Sequence, residues 1–142
     1  MGRRQESIET MKRVVNLDPD HADALNYLGY TYAEMGIHLD EAEQLIRSAL
    51  QNKPENGYIT DSMGWVYYKQ GEYAKALTEL LKAFQNLPDD PTIAEHIGDV
   101  YAALNENSKA IEYYNKALGL EKKEDKKKQV EEKKKSLEER LK

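Results

Sequence analysis

Residues 61–77 read "DSMGWVYYKQGEYAKAL". A large apolar residue, Met63, precedes Gly64; Tyr67 follows three positions later, then Gly71 and Ala76. The same order returns 34 residues on, where Gly98, Tyr101 and Ala110 replace Gly64, Tyr67 and Ala76, and Ala117 replaces Ala83. Upstream, Ala42, Ala49 and Pro54 precede Ala76, Ala83 and Pro88 by 34, whereas Gly29, Tyr32 and Gly36 precede their counterparts by 35. One residue is therefore inserted between Gly36 and Ala42, in "GIHLDEA". That segment reads as a turn between helices, where insertions are tolerated. A fixed period of this size marks stacked structural units.

A glycine inside a helix costs ~1 kcal/mol relative to alanine. Gly29, Gly64 and Gly98 therefore point to a backbone approach too close for a side chain. The pairs Ala42/Ala49, Ala76/Ala83 and Ala110/Ala117 give the second helix of each unit a matching small face. Leu45, Ile46, Leu50, Leu77, Leu80, Leu81 and Ile111 fill the gaps at helical spacing. The pattern predicts helices over residues 4–16, 22–35, 40–52, 56–70, 73–86, 91–104 and 107–118. Asp89 and Asp90, beside prolines, suit a helix start, and Gly119 suits a helix end.

These units resemble the tetratricopeptide repeat, a helix–turn–helix of 34 residues. The matching residues are Leu28-Gly29, Met63-Gly64 and Ile97-Gly98; Tyr32, Tyr67 and Tyr101; Gly36, Gly71 and, as a substitute, Asn105; the alanine pairs; and Pro54 and Pro88. Lys122 stands where a third proline would fall, and Leu25, Thr60 and Ala94 stand where the family usually has Trp. The resemblance implies an all-α fold, a right-handed α-solenoid. Residues 3–16, followed by Pro19, align with a second helix, with Ser7 and Val14 at its small positions. The expected organisation is an orphan second helix (1–20), three repeats (21–55, 56–90 and 91–120) and a charged C-terminal capping helix (121–142). The runs "LNYLGYTYAEMGIHLDEAEQLIRSAL" and "DSMGWVYY" resemble the C-terminal repeat block of bacterial tetratricopeptide proteins. Many of those are exported or lipid-anchored, which implies a periplasmic or envelope setting for the full-length protein.

Charge is unevenly spread. Residues 121–142 carry ten Lys/Arg and seven Asp/Glu, a net of +3, which leaves −8 on the remainder of a chain whose total is −5. An acidic body argues against nucleic acid, which needs a basic patch. The C-terminal segment has a thin apolar stripe of Val130, Leu137 and Leu141, and helix-supporting spacings at Glu131–Lys135 and Glu138–Lys142. Its expected role is to solubilise the end of the array; the alternative is pairing with a second chain in a homodimer.

No catalytic constellation stands out. The chain lacks cysteine, which excludes disulfides and thiolate chemistry. His21, His38 and His96 are far apart and form no zinc-binding spacing. No apolar run approaches membrane-spanning length. The expectation is a non-catalytic protein-binding scaffold without a cofactor or metal. The alternatives are a self-association module and a recruiting arm of a larger enzyme or envelope complex.

In the resembled family, ligands lie in a concave groove lined by the first helix of each unit. Carried over position by position, the implied lining is Asn26, Tyr27, Tyr30 and Glu34; then Tyr58, Asp61, Ser62, Trp65, Tyr68 and Lys69; then Glu95, His96 and Asp99. Where one branch of the family places basic residues to hold a C-terminal carboxylate, this chain has Asn26, Asp61 and Glu95, then Tyr30, Trp65 and Asp99. A carboxylate would meet acids. The expected partner is a basic and apolar protein segment, drawn by charge and by aromatic faces, and not an acidic C-terminus.

Overall fold

The computed structural model describes residues 2–141. Among them are eight α-helices and no strand: α1 (Gly2–Leu17), α2 (Ala22–Met35), α3 (Leu39–Asn52), α4 (Gly57–Lys69), α5 (Tyr73–Asn86), α6 (Pro91–Ala103), α7 (Asn107–Leu120) and α8 (Glu124–Arg140). Seven of them fall within two residues of the ends set by the sequence periodicity. Gly119 does not end its helix: α7 runs through it, and Glu121 caps the end. The starts of α2, α4 and α6 carry side-chain caps. Asn56 accepts from the N–H groups of Tyr58 and Ile59, and Asp90 accepts from Ile93 N–H ahead of Pro91.

α2/α3, α4/α5 and α6/α7 form hairpins that stack in order into a right-handed α-solenoid, with α2, α4 and α6 adjacent along one side. The three hairpin turns share one construction. Gly36, Gly71 and Asn105 are left-handed, with φ of 69°, 82° and 61°. The next N–H, of Ile37, Glu72 or Glu106, bonds back to the carbonyl of Tyr32, Tyr67 or Tyr101 at 3.0, 2.9 and 2.9 Å. This closes the helix end by a Schellman-type bond. Asparagine tolerates the left-handed region, so Asn105 replaces glycine there. The inserted residue of the first hairpin is absorbed by a second left-handed residue, His38, at φ 50°. Its ring sits edge-on to Tyr32, with centroids 5.2 Å apart.

Close packing within each hairpin follows from the mid-helix glycines. A methyl group at Gly29 would lie 2.6 Å from Ile46, at Gly64 2.6 Å from Leu80, and at Gly98 2.5 Å from Tyr114. These three partners stand 34 residues apart, one per second helix. Ile59, Val66, Ile93, Ile97 and Val100 are fully buried between hairpins, and the partly buried rings of Tyr67, Tyr68, Phe84 and Tyr101 link one buried cluster to the next. α8 packs on α7 by burying Val130 and Leu137 against Ala110, Tyr114 and Ala117. Leu141, the third member of the predicted stripe, remains 56% exposed. Within α8, Lys127 pairs with Glu124 at 3.7 Å rather than Lys135 with Glu131. Lys142, the expected partner of Glu138, lies outside the described residues.

The glycine contacts set opposite outcomes for two alanine substitutions. At Gly98 the added methyl meets a buried ring that cannot swing away, so Gly98→Ala is expected to lower the unfolding free energy by about 1–2 kcal/mol despite its better helix propensity. Gly119 has no atom within 4 Å of such a methyl. Gly119→Ala should raise stability by roughly 0.5 kcal/mol. Urea unfolding of the two variants checks the sign of each change, and a neutral Gly98→Ala would contradict the close approach.

Candidate functional site

The solenoid brings the first helices to one face, and a polar contact joins each helix to the next. Trp65 Nε1 on α4 donates to Glu34 Oε1 on α2 at 2.6 Å. His96 Nδ1 on α6 lies 2.9 Å from Asp61 Oδ1 on α4. Lys133 Nζ on α8 donates to Glu95 Oε2 at 2.7 Å and to both Asp99 oxygens at 3.1 Å on α6. In every step the carboxylate belongs to the earlier helix and the nitrogen to the later one. Asp99 also accepts from Tyr114 Oη at 2.6 Å.

These contacts sort the residues that the repeat register assigns to the groove. Tyr27 and Tyr58 are exposed, at 41% and 58%. Glu34 and Lys69 are also exposed, while Asn26, Tyr30, Tyr68 and Glu95 are half-buried. Asp61, Ser62, Trp65, His96 and Asp99 are buried. Ser62 Oγ turns back to donate to the Tyr58 carbonyl at 3.2 Å. Trp65 was expected to offer an open ring, but its faces are taken from within the fold. His96 stacks at 3.9 Å between centroids, Tyr68 stacks at 4.7 Å, and the Lys69 ammonium lies 5.4 Å from the ring. Burial of the aromatic surface and satisfaction of the indole N–H together hold it there. Asn26 keeps a buried Oδ1 without a hydrogen-bond partner.

Electrostatics follow the same contacts. Burial alone lowers the His96 imidazole, but the Asp61 carboxylate, with Asp99 and Glu95 behind it, outweighs burial and holds it above the ordinary histidine value. Burial likewise lowers Lys133, and Asp99 and Glu95 more than restore it. Tyr30 is pushed up by burial and then by Glu34 and Asp61; Tyr114 is pushed up by burial and then by Asp99. Among the described residues no group of three or more metal-ligating side chains is placed to hold an ion. No described helix is long and apolar enough to cross a membrane.

Two residues that matter here escape a reading of the sequence alone. Tyr114 occupies the register position of Ile46 and Leu80, and its hydroxyl is the signal that a polar partner waits nearby. Lys133 lies in a run of lysines, and no spacing singles it out.

The buried His96–Asp61 pair predicts a pH dependence. The folded state holds the imidazole proton more tightly than the unfolded chain, so the stabilisation is complete below the ordinary histidine pKa and is lost as pH rises through the raised value. Asp61→Asn should cost about 2 kcal/mol near pH 6 and progressively less toward pH 9. Urea midpoints of wild type and variant across that range test it; a constant difference would contradict the assignment.

Comparison with known proteins places this architecture. A tetratricopeptide repeat model matches residues 62–125, and a second tetratricopeptide repeat model matches residues 10–44. A TPR repeat-containing protein of Pseudomonas aeruginosa is 42% identical over 73 residues, which are 51% of this chain and 12% of that protein. The chain thus spans about one-eighth of the length of that curated relative. Among solved structures, a thermophilic TPR protein of Thermus thermophilus superposes with a TM-score of 0.80 at 22% identity, over 96% of this chain and 73% of that one. A MamA crystal structure gives 0.69 at 23% identity, over 84% and 70% of the two chains. PilF of Pseudomonas aeruginosa gives 0.71 at 27% identity, over 84% and 54%. The repeat glycines, the shared turn construction, the family models and the superpositions agree: the chain belongs to the tetratricopeptide repeat family.

Proposed function

We propose that the concave face of α2, α4 and α6 binds a segment of another protein that combines basic and apolar side chains. The general role of the family is protein–protein interaction. The observation that carries this is the exposure of Tyr27 and Tyr58 on a face where Trp65 is buried and Tyr30 and Tyr68 are half-buried. Exposed tyrosines of this kind anchor interfaces at low entropic cost. Glu34 supports the basic character of the partner. It is exposed, and its hydrogen bond comes from a neutral indole, so its negative charge remains available. An acidic C-terminus gains nothing on such a face. In this reading residues 21–55, 56–90 and 91–120 are the three repeats, α1 is a second helix, α8 is a cap, and the chain acts as a scaffold rather than a catalyst.

Peptide display against the full chain tests the proposal. Enriched peptides should pair Lys or Arg with aromatic or aliphatic residues. Their affinity should fall about tenfold or more with Tyr27→Ala plus Tyr58→Ala, while stability changes little because both sites are exposed. Enrichment of acidic C-termini, or binding indifferent to the double substitution, would refute it.

A further inference from the structure

α1 packs on α2 and is in register with the second helices of the hairpins. Ser7, Met11 and Val14 stand 35 residues before Ala42, Ile46 and Ala49. The counterparts of these three in α3, α5 and α7 are buried, and Ile46, Leu80 and Tyr114 press on Gly29, Gly64 and Gly98. In α1, Ser7, Met11 and Val14 are only half-buried. Leu17, at the end of the same helix, is 88% exposed, more than any other large apolar side chain among the described residues. Asn86, its counterpart in α5, lies 3.3 Å from a methyl placed on Gly57 at the start of α4. At its exposure Leu17 has no helix start beside it.

The array itself shows what covers such a face. α2 packs on α3, its partner in the hairpin, and on α4, the next first helix. A helix in the same relation to α1 and α2 would lie in the cleft bounded by Arg3, Arg4 and Ser7 of α1 and by Tyr27, Tyr30 and Glu34 of α2. It would bury Leu17, Met11, Val14 and the exposed ring of Tyr27 together, which the hydrophobic effect favours. The three internal contacts also define its chemistry. Ile46 and Leu80 come within 2.6 Å, and Tyr114 within 2.5 Å, of a methyl placed on the glycine opposite, so that residue must lack a side chain. Met11, in the same register, selects a glycine in the same way. In α2, α4 and α6 a large apolar residue precedes the glycine and a tyrosine follows it by three.

We propose that α1 and the adjoining flank of α2 are the seat of one partner helix of this glycine-centred pattern, which completes α1 into a further hairpin and continues the solenoid. The proposal rests on the concave face being a binding surface at Tyr27, and it adds that the partner is helical at this end and which of its faces must be small.

A labelled peptide of residues 56–71, the sequence of α4, is a probe with that pattern. A side-chain bridge away from the Gly64 face keeps it helical, because short helices are marginal in water. Added in trans to the full chain and followed by fluorescence anisotropy, it should bind saturably. A peptide carrying Gly64→Leu should bind at least about tenfold more weakly, although leucine is the better helix former. The Leu17→Glu chain, altered at a site that supports nothing else in the fold, should weaken binding by a similar factor. Absence of saturable binding, or affinity indifferent to both Gly64→Leu and Leu17→Glu, would overturn the proposal. So would dimerisation of the chain in light scattering that Leu17→Glu abolishes, which would assign the face to a second copy. Display-selected peptides that depend on Tyr27 and Tyr58 while the helical peptide fails to bind would sink this inference and leave the groove reading standing.

Discussion

The contact of three glycine backbones with three large side chains governs the rest of the molecule. Gly29 against Ile46, Gly64 against Leu80 and Gly98 against Tyr114 fix how near the two helices of each hairpin lie. Interiors are packed to crystal density, so a close approach at one point fixes the rotation of both helices around it. That rotation decides which residues of α2, α4 and α6 meet the next hairpin and which face the concavity. The turns reinforce it: one left-handed residue and one bond to a tyrosine carbonyl close each first helix in the same way. Even the inserted residue of the first hairpin leaves the helix relationship intact, because His38 absorbs it with a second left-handed step.

On the concave side the same regularity arranges charge. Each first helix offers carboxylates to its successor, which answers with an indole, an imidazole or an ammonium. A buried carboxylate without such a donor would be costly, so these contacts tie the stacking of hairpins to their acidity. The neutral indole satisfies Glu34 without removing its charge, and a single ammonium shared by two carboxylates leaves one negative charge over. The concave face thus stays acidic although its acids are hydrogen-bonded. Its aromatics divide in parallel: Trp65 is part of the structure, while Tyr27 and Tyr58 remain in water.

The fold was largely legible in the sequence because its determinants are small residues at fixed spacing, and a glycine inside a helix admits few explanations. The repeat register also assigned thirteen residues to one face. It could not say what covers them. Direction follows from periodicity, but cover depends on a neighbour 30 or more residues away: Glu34 for Trp65, Asp61 for His96, Lys133 for Asp99. Lys133 was the least accessible to such reading, since in a stripe of lysines only the placement of Glu95 and Asp99 distinguishes it. Asn105 shows the opposite case, where knowing the backbone conformation that a turn requires makes an apparent departure from the pattern a confirmation of it.

The carboxylates of this face bind the next helix of the array as part of the fold. The chain's single tryptophan permits a direct reading of the Glu34 contact, because one indole N–H signal appears in a proton–nitrogen correlation spectrum. A bond of 2.6 Å to a carboxylate predicts a downfield, slowly exchanging indole proton that moves upfield and exchanges faster in Glu34→Gln. An indole proton at its free position, exchanging rapidly and unmoved by the substitution, would contradict the account.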